Sequence, residues 1–194
     1  MTAPRPEIAW PLTTERLVLR PATQDDAPAV FRYRRLPEVA RWMTAQPEDE
    51  ASFTERLVRP ENLGPTVVVE LDGTVVGDLL LRVEDAWGQL EVAGDAVRTQ
   101  AEIGWAFHPE VAGQGLATEA VRRLVGAIFS ELGLRRVTAV CFAANAPSWR
   151  LMERIGMRRE GTFRADSLHR DGQWLDSYAY GLLREEWQAG ASGR

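Results

Sequence analysis

Between Gln100 and Gly133 the chain changes its hydrophobic period once, from that of a strand to that of a helix, and two glycines stand at the join. From Gln100 to Phe107, Ala101, Ile103, Trp105 and Phe107 fall on one face, and Glu102, Gly104 and Ala106 on the other. That alternation predicts a strand, ended by His108-Pro109. Val121, Leu124, Val125, Ile128, Phe129 and Leu132 then recur at helical spacing, with Gly133 placed to stop the helix. The joining segment reads Ala112-Gly113-Gln114-Gly115-Leu116-Ala117-Thr118. Glycines without side chains let successive N–H groups turn toward one point, and the helix end adds partial positive charge, so such a loop can hold a pyrophosphate. The helix end contributes roughly 0.3–1 kcal/mol where exposed, so useful affinity needs several converging donors. On spacing alone an ordinary strand-to-helix turn fits as well. The dinucleotide fingerprint does not, because Thr118 stands where its third glycine belongs.

The rest of the chain surrounds this unit. Arg16–Arg20 alternates and stops at Pro21, predicting a strand; Thr23 is the expected N-cap of a helix with Asp25 and Asp26 in its first turn. Helical pieces are expected to about Arg59, broken near Pro37 and Pro47. Thr66–Leu71 and Thr74–Val83 predict a hairpin around Asp72-Gly73, and Glu84–Thr99 a loop or an irregular hairpin. Arg136–Phe142 reads as a buried strand and Asn145–Arg154 as a short helix stopped near Gly156. Met157–Phe163 and Leu175–Leu182 read as two closing strands. The expectation is one mixed α/β domain over residues 1–188, with 189–194 a frayed tail.

Composition removes several function classes. The chain has no lysine, which excludes a P-loop and Schiff-base chemistry. Its single cysteine, Cys141, permits no internal disulfide; with His108 and His169 far apart, no zinc spacing is matched and no metal is expected. A net charge of −5 with scattered arginines offers no basic stripe for nucleic acid. No apolar run approaches the ~18–20 residues that cross a bilayer, and the N-terminus lacks a signal-peptide pattern, so a cytoplasmic protein with no membrane partner is expected.

The segment Glu102-Ile-Gly-Trp-Ala-Phe-His-Pro-Glu-Val-Ala-Gly-Gln-Gly-Leu-Ala-Thr-Glu-Ala120 resembles the acyl-CoA-binding motif of the GCN5-related N-acetyltransferase (GNAT) superfamily, written Gln/Arg-x-x-Gly-x-Gly/Ala. Gly115 and Ala117 match its last two defined positions, whereas Ala112 departs from the leading Gln/Arg. Downstream, Asn145-Ala-Pro-Ser148-Trp-Arg-Leu-Met-Glu-Arg-Ile-Gly156-Met resembles the Asn-x-x-Ser…Glu-Lys/Arg-x-Gly-Phe segment of the same superfamily. The opening Thr14-Glu-Arg-Leu-Val-Leu-Arg20 and the closing Glu160-Gly-Thr-Phe-Arg164…Gly172-Gln-Trp-Leu-Asp176…Tyr180 resemble its RimJ/RimL-type branch. The resemblance implies the GNAT fold: a central, mostly antiparallel sheet with a splayed parallel strand pair, flanked by helices. It implies acetyl-CoA as co-substrate, held by Ala112, Gly113, Gln114, Gly115, Leu116, Ala117, Thr118, Asn145 and Ser148, with the pantetheine arm between the Gln100–Phe107 and Arg136–Phe142 strands. It implies an N-acetyltransferase whose acceptor is a primary amine, a protein N-terminus in that branch.

Acyl transfer to an amine needs a base for the ammonium, a donor for the thioester oxygen and an acid for the leaving thiolate. At neutral pH an α-amine is roughly 10% neutral and a lysine amine only about 0.04%, so an α-amine asks less of the base. Glu102 is the candidate base, direct or through water, because a carboxylate within an apolar strand is costly to bury without purpose or partner. The competing reading is a salt bridge to an arginine. His108, before a proline at a strand end, is the other candidate. Ser148 matches the serine that the RimL-like pattern offers as thiolate proton donor or cofactor contact; a helix cap is the alternative. Met152 stands where many relatives place a tyrosine acid. Asn145 either contacts the cofactor arm or fixes the turn, Cys141 reads as core, and Trp42 either lines the amine site or packs.

Two other functions stay open. The first is acetylation of a small amine such as an aminoglycoside or polyamine, for which Glu48-Asp49-Glu50 is suggestive. The second is acyl-CoA sensing without turnover, which the Ala112 and Met152 departures would fit. A homodimer through an exposed sheet edge and tryptophans is a further expectation.

Overall fold

The computed structural model describes residues 7–192. The elements are β1 (Leu12–Thr13), β2 (Leu17–Pro21), α1 (Ala27–Arg34), α2 (Pro37–Ala40), α3 (Glu50–Leu57), α4 (Pro60–Leu63), β3 (Thr66–Leu71) and β4 (Thr74–Glu84). There follow β5 (Gln100–Phe107), α5 (Leu116–Ser130), β6 (Arg136–Phe142), α6 (Ala146–Arg154), β7 (Arg158–Leu168), β8 (Trp174–Leu183) and α7 (Arg184–Ser192). The strands form one sheet in the order β1-β2-β3-β4-β5-β6-β8-β7. Only β5 and β6 run parallel; every other neighbouring pair is antiparallel.

Both faces of the sheet are covered, which explains why some strands are apolar without alternation. On one face α5 buries Leu116, Ala120, Val121, Leu124, Val125, Ile128 and Phe129 against Leu17, Leu19, Val67, Val69, Ile103, Val137 and Leu182. On the other, Val30, Tyr33 and Phe53 from α1 and α3 cover Val68 and Ala106. Thus Ala106, expected opposite the apolar face of β5, is itself buried at 5% exposure under the N-terminal helices. Asp72 (φ 49°) and Gly73 (φ 75°) both take the left-handed conformation between β3 and β4, the backbone that a two-residue hairpin demands.

Asp78 joins the layers. Only 2% exposed on β4, it accepts from the Tyr33 hydroxyl at 2.7 Å and from Arg34 Nε at 2.9 Å, with a second Arg34 nitrogen on its other oxygen. Burial, reinforced by that carboxylate, pushes the Tyr33 hydroxyl well above its ordinary pKa. Asp78→Ala leaves a buried hydroxyl and a part-buried guanidinium unpaired and is expected to lower stability by about 3 kcal/mol in urea unfolding. A loss below about 1 kcal/mol would mean that water replaces the carboxylate there.

Several boundaries differ from expectation. Pro37 and Pro60 begin helices, as first-turn prolines do, so the N-terminal helical region is four short pieces. β7 continues to Leu168 because irregular register near Arg159–Gly161 and Phe163–Ser167, with Ala165 at φ 46°, lets it bend and stay paired. The β4–β5 connection contains a 3₁₀ stretch from Leu90 to Ala96. α7 runs through Ser192, into the stretch expected to fray, and Trp187 anchors it 6.2 Å from the Phe129 ring. Among the described residues no helix is long and apolar enough to cross a membrane.

Candidate active site

β5 and β6 stay paired for only three positions, Gln100↔Arg136, Ala101↔Val137 and Glu102↔Thr138. Beyond them β5 continues on β4 as far as Phe107, and β6 continues on β8 as far as Phe142. The two strands therefore part, and the edges of Ile103–Phe107 and Ala139–Phe142 that face each other have no ladder between them. Such edges can take an extended ligand as they would a strand.

Two cavities meet at this gap. One, a groove of about 1090 Å³, passes Ala112, Gly113, Gly115, Leu116, Ala117 and Thr118. The other, of about 650 Å³, lies under the N-terminal helices and includes Phe53, Asp78, Glu102, Gly104 and Phe142. Trp42, Met43, Trp105, Asn145 and Ser148 line both, so the gap is a passage with a shared wall.

The groove is built for an anion. Gly113 (φ 76°) and Gly115 (φ 79°) are left-handed, and Gly115 is the N-cap of α5. The amides of Leu116, Ala117 and Thr118 open the helix and have no preceding turn to donate to. Glu119 beside them would repel phosphate, but Arg16 holds it through Nε at 2.8 Å and the Thr14 hydroxyl at 2.6 Å. Burial raises the Glu119 carboxyl, but the bonds from Thr14 and Arg16 outweigh that and leave its pKa lowered. Its charge is thus permanent near neutrality and met by Arg16. Arg16 also donates to the Gln114 carbonyl at 3.1 Å and so braces the loop.

Of the nine residues expected to hold the cofactor, eight line the groove. Gln114 does not: its side chain turns back to the Glu110 carbonyl at 3.3 Å. Arg122 and Arg154 also line the groove and were not anticipated. Arg122 donates to the Arg154 carbonyl at 2.9 Å, a contact between α5 and α6 that no local motif announces. These features, glycine cradle, helix N-terminus and two guanidiniums, fit the diphosphate and phosphate groups of a CoA thioester.

Glu102 makes the salt bridge that was its competing reading, and it also faces a cavity. Its carboxylate accepts from Arg82 at 2.7 Å, and it lines the inner cavity at the last paired position before the strands part. Its side chain is 31% exposed, so it is reachable rather than sealed in the core. Ser148 is not a cap. It sits in the first turn of α6, behind the N-cap Asn145, whose side chain makes no capping bond. Burial pushes the nearby Cys141 thiol up to about 11, against the smaller opposing effects of Ser148 and Arg159. A thiol so protonated is no nucleophile near neutrality. Met152 is 1% exposed and offers the inner cavity no proton. His108 lines the groove but not the inner cavity, and its Nδ1 accepts from the Glu110 amide at 3.2 Å.

Trp42 does stand in the shared wall. A tie from the far end of the sheet holds it there: in the β7–β8 turn, Arg170 donates to the carbonyls of Ala40 at 2.7 Å and Met43 at 2.6 Å. His169 Nε2 lies 3.0 Å from the Arg41 carbonyl, and its ring packs near Trp42 and Phe142. The residue separation of about 130 positions hides this from local sequence reading.

Comparison with known proteins agrees with this geometry. Residues 16–158 match the family described as "Acetyltransferase (GNAT) domain". The chain is 33% identical to the N-acetyltransferase YnaD of Bacillus subtilis (strain 168), over 91% of this chain and 98% of that one. An acetyltransferase of the GNAT family from Bacillus anthracis superposes with a TM-score of 0.75 at 31% identity, covering 90% of this chain and 98% of the other. Mycobacterium smegmatis RimJ, solved in complex with CoA-disulfide, superposes with a TM-score of 0.69 at 25% identity over 92% of this chain and 90% of RimJ. With its parting parallel strands and glycine-capped helix, this chain belongs to the GNAT acetyltransferase family.

Proposed function

We propose that the protein transfers the acetyl group of acetyl-CoA to a primary α-amine, the reaction taking place in the gap between β5 and β6. One observation carries this reading: the three-residue β5–β6 pairing opens onto a groove with an anion cradle on one side and a confined cavity with a carboxylate on the other. Acetyl-CoA supplies an acyl group activated as a thioester. Glu102 takes the proton of the acceptor ammonium, directly or through a water, and the freed amine forms the new C–N bond as the C–S bond breaks. Ser148, in the shared wall, steadies the thiolate by a hydrogen bond or relays to it the second proton, which the nitrogen sheds as it becomes an amide. No other side chain of α6 that lines the inner cavity carries a transferable proton, since Met152 is a thioether. A sensor of acyl-CoA needs no base at the gap, so a carboxylate placed there favours turnover over mere binding. Likeness to RimJ supports a protein N-terminus as acceptor, and the confined inner cavity supports a small amine.

Calorimetry on the purified chain tests the cofactor half of this reading. Acetyl-CoA is expected to bind with micromolar Kd. Acetylpantetheine, which lacks every phosphate, is expected to bind at least about 10²-fold more weakly, the equivalent of one or two charge-assisted hydrogen bonds. No heat at millimolar acetyl-CoA removes the proposal.

A further inference from the structure

The inner cavity is lined by three guanidiniums and three carboxylates: Arg34, Arg56, Arg82, Glu61, Asp78 and Glu102. Arg34 is matched by Asp78, and Arg82 by Glu102. Glu61 is exposed at the start of α4. Arg56 differs from the other two guanidiniums. Half-buried on α3, it has no carboxylate within ion-pair distance among the described residues. Its guanidinium carbon lies 5.7 Å from the centroid of the Phe53 ring, itself 5% exposed and part of the cavity wall. The Arg56 carbonyl accepts from Asn62 Nδ2 at 2.7 Å, which fixes the root of the side chain to α4. A planar, weakly hydrated cation resting on an aromatic face, in a cavity also walled by Val30 and Leu57, is suited to a planar carboxylate that takes two parallel N–H bonds.

We propose that the acceptor is a small amine that also carries a carboxylate, an amino acid, whose carboxylate pairs with Arg56 while its amine faces Glu102 and the β5–β6 gap. The proposal rests on the acetyl-transfer reading and sharpens it. Acetylation requires the amine end to lie at the gap, where Glu102 is; the carboxylate end then points toward α3, where the unmatched cation is. The arrangement is selective. In a peptide N-terminus the α-carboxyl is already an amide, which gives Arg56 no charge to meet and leaves its desolvated donors unsatisfied.

The test uses the full chain with saturating acetyl-CoA and matched acceptors: each L-amino acid, its carboxamide, its decarboxylated amine, and short peptides. At least one amino acid is expected to be acetylated with a KM roughly 10–100-fold below that of its carboxamide. In Arg56→Gln, and in Arg56→Ala as a second variant, the two KM values are expected to converge through a rise in the amino acid's KM. Arg56→Lys should restore only part of the gap, because a point charge lacks the fork. Carboxamides or peptides that equal or outperform the amino acids overturn the carboxylate site while leaving acetyl transfer in place. A parallel loss for both acceptors in Arg56→Gln overturns it too, marking Arg56 as structural. Acetyl-CoA binding with no acetylated acceptor of any kind removes both the carboxylate site and the transfer reaction.

Discussion

Glu102→Gln is expected to lower kcat by roughly 10²–10⁴ while leaving the Kd for acetyl-CoA nearly unchanged, the signature of a lost general base. The substitution is close to isosteric, and the glutamine oxygen can still accept from Arg82, which now lies 2.7 Å from the carboxylate. Both members of that pair are substantially exposed, at 51% and 31%, so losing the ionic part of the contact should shift stability by under about 1 kcal/mol. An activity loss of several orders of magnitude therefore cannot come from unfolding, which thermal melts of the variant will show directly. The groove proposed for the cofactor does not include Glu102, so binding and turnover report on different residues. If turnover survives intact, Glu102 serves only to balance Arg82, and proton removal falls to water.

The lining of the groove was legible in the sequence and that of the inner cavity was not, for a physical reason. The glycine loop, the helix it enters and the β5 strand are contiguous, so their pattern is written in adjacent residues and six of the eight groove residues could be named from it, with Asn145 and Ser148 coming from a second local motif. The wall of the inner cavity, and the ties that hold it, are assembled from distant pieces. Arg170 reaches Ala40 and Met43 across the sheet, Asp78 meets Tyr33 and Arg34, and Arg56 shares a cavity with Glu102. None of these pairs has a spacing that means anything before folding. The same limit explains Ala106: alternation says which residues share a face, but not that a second helical layer covers the opposite one. Ser148 shows a different limit. A serine near a helix start is an ordinary cap, and only the placement of Asn145 at the N-cap frees its hydroxyl to face Cys141.

Gly115→Val is expected to weaken acetyl-CoA binding by roughly 10²–10⁴, through the backbone rather than through bulk. A Cβ at position 115 would meet only Arg16 Nη2, at 3.8 Å, an ordinary contact. The obstacle is φ of 79°, which costs a branched L-residue about 1–2 kcal/mol or more. The loop can relieve that strain only by rotating the peptides that lead into α5. Doing so turns the Leu116, Ala117 and Thr118 amides away from their common point, and two lost charge-assisted bonds at about 1.5–3 kcal/mol each give the stated range. Gly73→Val is the matched control: Gly73 has φ of 75° and open space around it, but lies in the β3–β4 turn and lines neither cavity. It should lose comparable stability and keep full affinity. Equal Kd values for the two variants and the parent would show that the cradle amides do not hold the cofactor. Weakening confined to Gly115→Val would assign the phosphates to the N-terminus of α5.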